Sequence, residues 1–241
     1  MIIDLTYPIH EGMFKYPSDP DPEIYFKLSE SVVNSKNYVH KFTSGFVNLT
    51  IRNHHGTHVD APAHKLPGGN TIDDYLLDRF VNKAIIIEIP DIASRELKSV
   101  LFEDVYTRVD FKALEENGVT ALLFYTGYSD RIAENEGKLN GKEKTDFESD
   151  FTYLTPAAAL YLSENAPFLN IVGIDSFSFD PKGSNSEAHK LFFIRDILLL
   201  ETLVNLADLS KVVGNTPFEL ISVPLLFKGA DAAPCRAYAI I

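Results

Sequence analysis

Between His54 and His64 the chain reads His-His-Gly-Thr-His-Val-Asp-Ala-Pro-Ala-His, so four of its seven histidines and one aspartate crowd into a single short string. Neutral imidazoles and a carboxylate packed this closely need a cation or extensive hydrogen bonding to be stable. His54 and His58 have helical spacing, but Gly56 and Pro62 both oppose a helix. An extended strand fits better: period two places His58, Asp60 and His64 on one side and Val59, Ala61 and Ala63 on the other. A tight turn at Gly56 would then fold His54 back beside His58. His54, His58 and Asp60 so arranged make a three-ligand site with coordination positions left for water. Nitrogen and oxygen donors without thiolate suit Zn²⁺, Mn²⁺, Fe²⁺ or Co²⁺. His10 and His40 stand alone and read as ordinary satisfied side chains.

These residues must be held by an ordered scaffold, and the rest of the chain supplies its outline. From residue 83 onward apolar β-rich runs alternate with helix-like segments, the pattern of an α/β fold with a mixed central sheet and flanking helices. Strands are expected over 83–89, 119–126, 169–175, 197–201, 220–227 and 237–241. Helices are expected over 110–117, capped by Asp110 and closed by Gly118, and from Pro156 to about Asn165, capped by Thr155. Ser184 and Glu187 form a capping box for a helix carrying His189 and ending near Ile194. Four prolines between residues 7 and 22 make residues 1–22 an extended arm, on which Tyr7, Phe14 and Tyr16 are placed to line a pocket. Residues 46–52 alternate as a half-buried strand, and the polar stretch 129–151 reads as a surface excursion placed to act as a lid. Nothing divides the chain, so residues 1–241 are expected to form one domain.

Composition narrows the partners. With 34 acidic residues against 22 basic ones and a formal net charge of −12, the chain lacks the basic surface that nucleic acid or an anionic membrane requires. No apolar run resembles a signal peptide or a membrane span, which makes cytoplasm the expected compartment. A single cysteine, Cys235, excludes an internal disulfide and reads as a small buried hydrophobe.

The string fits H-x-G-T-H-x-D-x-P-x-H, and with it the chain resembles the bacterial kynurenine formamidase and cyclase family, isatin hydrolases included. Further similarities run along most of the chain: Tyr16-Pro17-Ser18-Asp19 near the start, where the family often has Trp and Gly at the first and third positions, then Thr126-Gly127, Gly173-Ile174-Asp175-Ser176, the closing turn Gly229 to Pro234, and the spacing of His189 and Glu201. The resemblance implies a swivelling β/β/α fold and dimers or tetramers whose N-terminal arm reaches a neighbour's site. It also implies that His54, His58 and Asp60 bind one divalent metal, zinc first and manganese next. His189 and Glu201 would bind a second metal, with Asp60 bridging, and His64 would transfer protons. Pro62, which redirects the chain, supports separating His64 from the ligands, and the apolar run Leu198-Leu199-Leu200 before Glu201 means that this carboxylate needs a partner. Asp175, Ser176 and Asp180 read either as supports to such a site or as loop polars. The expected activity is hydrolysis of a small amide, foremost an aryl formamide such as N-formylkynurenine. Two other readings are a cyclic-amide hydrolase or cyclase on the same site, and a non-catalytic metal-binding protein, for which an unligated His64 would have no use.

Overall fold

The apolar runs after residue 83 assemble into one large sheet, described here from a computed structural model that covers residues 1–241 apart from 35, 37, 93, 94, 96 and 97. The strands are β1 (Ile2–Asp4), β2 (Glu23–Asn34), β3 (Val39–Thr50), β4 (His58–Asp60), β5 (Val81–Glu88), β6 (Ser99–Val100), β7 (Ala121–Tyr125), β8 (Tyr153–Leu154), β9 (Ile171–Ile174), β10 (Leu198–Glu201), β11 (Phe218–Ile221), β12 (Ala232–Pro234) and β13 (Tyr238–Ile240). The helices are α1 (Phe102–Tyr106), α2 (Phe111–Glu116), α3 (Tyr128–Asn135), α4 (Gly141–Ser149), α5 (Pro156–Asn165), α6 (Glu187–Phe193) and α7 (Leu206–Val213). Nine strands join in the order β1-β13-β11-β5-β7-β9-β10-β4-β12. The centre, β5-β7-β9-β10, is parallel, and both flanks are antiparallel. The fold is therefore mixed α/β, as the alternation of strands and helices predicts. None of the described helices is long and apolar enough to cross a membrane.

Strand parity sorts the two faces of the sheet. Leu122, Phe124, Val172, Ile174 and Leu199 pack on one side against α5 (Ala158, Leu162) and α6 (Ala188, Phe192). Leu123, Ile171, Leu198 and Leu200 pack on the other against Leu206, Leu209 and Val213 of α7, and Val59 joins them. Because Val59 faces α7, its neighbours His58 and Asp60 face the α6 side, which is also the side of Leu199 and Glu201. Parity alone thus brings three of the proposed ligands to the face that carries His189.

Local signals account for the helix starts. Asp110 Oδ1 accepts from Ala113 N at 3.1 Å, and Thr155 Oγ1 accepts from Ala158 N at 3.3 Å ahead of Pro156, as expected of N-caps. The Ser184 capping box does not form. Helix α6 begins two residues later, with Ser186 as N-cap at φ 55° and Ser184 Oγ accepting from Ser186 N instead. Its first free N–H groups, Ala188 and His189, donate to the Asp180 carboxylate at 2.8 and 3.0 Å. A carboxylate distant in sequence thus replaces the local cap.

Three other expectations change. The strand expected over 220–227 stops at Ile221, and beyond it, among the described residues, only Pro224 bridges to Cys235, because proline cannot donate into a ladder. Residues 46–50 belong to β3, which pairs with β2 along twelve residues as a separate two-stranded hairpin, and the whole of β3 is exposed. The stretch 129–151 is not a polar loop: α3 and α4 bury Tyr128, Ile132 and Phe147 against Tyr7, Met13 and Phe14 of the N-terminal segment. That segment begins with β1 pairing to β13, and Phe14 lies 4.6 Å from Phe147 between ring centroids.

Asp175 ends β9 and ties it to the end of β7. It is fully buried and accepts from Thr126 N at 2.9 Å, Thr126 Oγ1 at 2.5 Å and Ser129 Oγ at 3.2 Å. Burial pushes its carboxyl up to about 6, opposed by these hydrogen bonds. Gly127 makes the same corner possible: it sits at φ 80°, and a side chain there would meet the Pro90 carbonyl. Replacing Asp175 with Ala leaves several buried donors without an acceptor, at about 1–3 kcal/mol each. Urea unfolding of Asp175→Ala is expected to show a stability loss of at least about 2 kcal/mol; a midpoint equal to that of the wild type would show that the clasp contributes nothing.

Candidate metal centre and active site

Strand β4 delivers His58 and Asp60 side by side, and its antiparallel partner β10 sets Glu201 directly opposite His58. Gly56 turns the chain just before the strand at φ 67°, where a side chain would lie 2.8 Å from the Tyr7 carbonyl, and this turn folds His54 back to a ring-centroid distance of 5.1 Å from His58. Thr57 locks the turn by accepting from Tyr7 N at 2.7 Å and donating to the Thr202 carbonyl at 2.6 Å. His55 turns away from the cluster, its Nδ1 accepting from Arg52 N at 3.2 Å. His64 arrives by a different route from the extended strand expected. The chain leaves β4 into a 3₁₀ turn over Pro62–His64, and that turn brings His64 Nε2 to 3.9 Å from Asp60 Oδ2. Helix α6 adds His189.

All six candidate residues converge on Asp60. Its Oδ1 lies 3.0 Å from His54 Nδ1 and 3.3 Å from His58 Nε2, and its Oδ2 lies 3.5 Å from His189 Nε2. Glu201 stands between the two sets, with Oε2 3.4 Å from His58 Nε2 and Oε1 3.2 Å from His189 Nε2. The hydrogen bonds at the far ring nitrogens indicate the tautomers. His58 Nδ1 donates to the Gly56 carbonyl at 2.9 Å and His189 Nδ1 to Asp180 at 2.5 Å, which leaves each Nε2 lone pair turned toward carboxylate oxygens.

Such an arrangement opposes lone pair to lone pair unless a positive charge intervenes. Buried His58 Nε2 and both Asp60 oxygens make no hydrogen bond. The titration behaviour carries the same sign. Burial works against charge on the imidazoles, yet Asp60 and Asp231 hold His54 up to about 9, and Asp60 and Glu201 hold His58 up to about 10. Burial would raise Asp60, but the charges of His54 and His58 beside it hold it well below the usual carboxylate range. A set of donors short of positive charge, made of imidazole and carboxylate alone, fits a divalent cation. His54, His58 and Asp60 each offer a ligand atom within 4.8 Å of the others, as do Asp60, His64 and His189, and also His54, His64 and Asp231.

His64 differs from the others. Burial lowers its pKa, which Asp60 only partly offsets and the nearby His54 and Lys65 charges reinforce. Its Nδ1 donates to Asp231 Oδ2 at 2.8 Å, leaving Nε2 as a free acceptor. Asp231 is the functional residue that sequence reasoning missed. It lies in the closing turn Gly229 to Pro234, accepts from Asn53 Nδ2 at 2.6 Å, and has His54 Nε2 at 3.5 Å. Its position in a turn shared with a known family was the only signal in the sequence. Asp180 is resolved as the support of His189 and not as a loop polar. Asp175 supports the scaffold, and Cys235 is a buried free thiol in the apolar layer that holds Val59.

The cluster opens on a cavity of about 240 Å³, with Phe14, Tyr16 and Phe177 among its walls. Phe14 and Tyr16 come from the N-terminal segment of the same chain. Tyr7, expected beside them, is buried behind the wall, its hydroxyl donating to Glu136 at 2.7 Å and accepting from Phe14 N at 3.0 Å.

Comparison with known proteins identifies the family and the fold. The family model described as "Putative cyclase" matches residues 3–181, which takes in the histidine string and Asp180 and stops before His189 and Glu201. The kynurenine formamidase of Bacillus mycoides (strain KBAB4) is 29% identical over 242 residues, spanning 98% of this chain and 95% of its own. That of Geobacillus thermodenitrificans (strain NG80-2) is 30% identical over 201 residues, 82% of either chain. Among solved structures, isatin hydrolase A from Labrenzia aggregata, bound to benzyl benzoate, has the same fold with a TM-score of 0.70 at 20% identity, covering 100% of this chain and 93% of that one.

Histidines held up to about 9 and 10 are protonated in the metal-free protein at neutral pH, so a cation must displace protons to bind. Calorimetric titration with Zn²⁺ or Mn²⁺ is therefore expected to release protons, and affinity is expected to rise by about tenfold or more per pH unit from about pH 6.5 upward, flattening once pH passes the raised values. An affinity independent of pH over that range would show that these imidazoles are not displaced by the ion.

Proposed function

The chain belongs to the cyclase family, and from that premise we propose that it is a metal-dependent hydrolase that cleaves the C–N bond of a small amide, foremost an aryl formamide of the N-formylkynurenine type. One observation carries the reading: unsatisfied ligand atoms on His58 and Asp60 lie beside an imidazole, His64, that Asp231 orients and burial keeps neutral. His54, His58 and Asp60 would hold one cation and His189 with Glu201 a second, Asp60 being shared because its two oxygens face different histidines. Zinc, or manganese in its place, suits this donor set. When bound, the ion supplies Lewis acidity, polarising the amide carbonyl and lowering the pKa of water.

The chain's own residues do the rest. His64 Nε2 accepts a proton from the attacking water, Nδ1 being held by Asp231, and returns it to the amide nitrogen as that nitrogen leaves. In balance, the C–N bond of R–NH–CHO breaks, a C–O bond to the water oxygen forms, and amine, formate and one proton are released. Phe14, Tyr16 and Phe177 offer an aromatic wall to the aryl group. The likeness to bacterial kynurenine formamidases over nearly the whole chain supports a formamide as the substrate. A cyclic amide such as isatin is the second reading, favoured by Tyr16 and Ser18 on the cavity wall where the family often has Trp and Gly.

The same reading includes a homo-oligomer, supported by the hairpin. Register places Phe26, Leu28, Val32, Val39, Val47 and Leu49 on one face, and each is at least 45% exposed. A two-stranded ribbon is at best marginally stable alone, so an apolar face on one requires a cover. The hairpin is close to neutral, with Glu23, Glu30, Lys27 and Lys41 on its strands, on a chain that carries −12 overall, so a second copy meets it without the repulsion that the acidic body would impose.

Two experiments test these statements. His64→Ala is expected to keep its metal and lose about 10² or more in kcat on N-formylkynurenine, whereas His58→Ala loses metal and activity together. If His64→Ala sheds metal as readily as His58→Ala, the assignment of His64 is wrong; if isatin alone is turned over, the substrate assignment is wrong. Sedimentation of the wild type is expected at twice the chain mass or more, and of Phe26→Asp combined with Leu28→Asp at a lower multiple. A wild type that sediments as a single chain would remove the oligomer from the reading.

A further inference from the structure

Two lysines are among the residues that line the cavity, Lys15 and Lys65. Lys15 Nζ lies 3.6 Å from the Asp21 carboxylate. Lys65 is half-buried, directly follows His64, and among the described residues has no carboxylate within ion-pairing distance. In a chain with 34 acidic residues against 22 basic ones, a lysine that faces a cavity without a partner is unusual. Three carboxylates line the same cavity and none pairs with Lys65: Asp180 accepts from the first turn of α6 and from His189, Glu201 accepts from Phe179 N at 3.0 Å and faces His58 and His189, and Asp19 on the N-terminal segment makes no ion pair among the described residues. The backbone of Lys65 is fixed by the 3₁₀ turn, its N–H donating to the Pro62 carbonyl at 3.1 Å, so the side chain starts from a set position beside the reacting imidazole.

We infer that Lys65 is a specificity-determining residue that binds a carboxylate carried by the substrate, so that the cavity takes an anionic aryl amide, its ring against Phe14, Tyr16 and Phe177. The inference rests on the amidohydrolase reading above. The acidic body of the protein repels an anionic substrate, and an unpaired ammonium at the reacting end of the cavity offsets that repulsion locally. Desolvation inside the cavity strengthens the contact relative to one made in open water.

The test compares 2-formamidobenzoate with neutral 2-formamidobenzamide, which share shape and scissile bond. The wild type is expected to prefer the anion by about tenfold or more in kcat/KM, through KM. In Lys65→Met this ratio is expected to fall to within about twofold of unity, and in Lys65→Arg to recover, which separates charge from packing. Binding of the non-formyl analogues 2-acetamidobenzoate and 2-acetamidobenzamide to the metal-loaded protein, followed by calorimetry, gives a second readout independent of turnover, with the same loss of preference expected in Lys65→Met. If both formamides are hydrolysed with equal kcat/KM, or if Lys65→Met keeps the preference, the carboxylate site is overturned and the amidohydrolase reading stands. If neither formamide is hydrolysed but anion binding depends on Lys65, the aryl-formamide reading fails and the carboxylate site stands.

Discussion

A carboxylate with no exposed surface and no hydrogen-bond donor is the constraint around which this protein is arranged. Asp60 is fully buried, and neither of its oxygens makes a hydrogen bond. An isolated ion in that position would cost several kcal/mol or would neutralise itself by taking a proton. It does neither, because four histidines, three from the 54–64 string and one from α6, surround it and hold its pKa down. The histidines in turn are held up by the same carboxylate, against the effect of their own burial. Each group therefore depends on the others, and the whole set is balanced only with added positive charge.

The sheet positions this set with little freedom. His58, Asp60 and Glu201 sit on adjacent strands whose register is fixed by pairing, and parity turns all three toward the side that α6 covers. A one-residue slip in β4 would turn Val59 into the cluster and both ligands into the apolar layer against α7. The remaining imidazoles come from turns, where sterics fix the chain: His54 by the left-handed Gly56, His64 by the 3₁₀ turn after Pro62. Asp180 and Asp231 then fix ring orientation through the far nitrogens, one for His189 and one for His64.

Around this centre, segments without a core of their own become walls. The N-terminal segment is too rich in proline to form a helix, yet it is anchored at β1, at Tyr7 and at Phe14, and between those anchors it supplies an aromatic side of the cavity. Helices α3 and α4 serve as its backing. Their polar composition hides three large buried side chains, Tyr128, Ile132 and Phe147, spaced so that α3 and α4 share one apolar patch against the segment. The β2–β3 hairpin stands apart from the rest, with apolar side chains exposed on both of its faces.

The sequence by itself determined the elements whose signals are local: the central strands as apolar β-rich runs, α2 and α5 through their caps, the turn at Gly56, and the donor types of the site from the spacing of His54, His58, Asp60 and His64. Similarity to a known family added His189 and Glu201, which no local pattern joins to the string. Only the tertiary structure decided that Asp180, and not Ser184, caps α6, because the competing acceptor lies on another loop and its advantage is a charged, buried hydrogen bond. Only the tertiary structure brought Asp231 to His64 across 167 residues of sequence separation. Alternation in 46–52 was legible as a strand with one apolar face, but what lies against that face is a property of packing, which periodicity does not encode. Spacing specifies which side chains share a side of a strand or a turn; which side is buried, and beside what, depends on contacts between segments far apart in the chain.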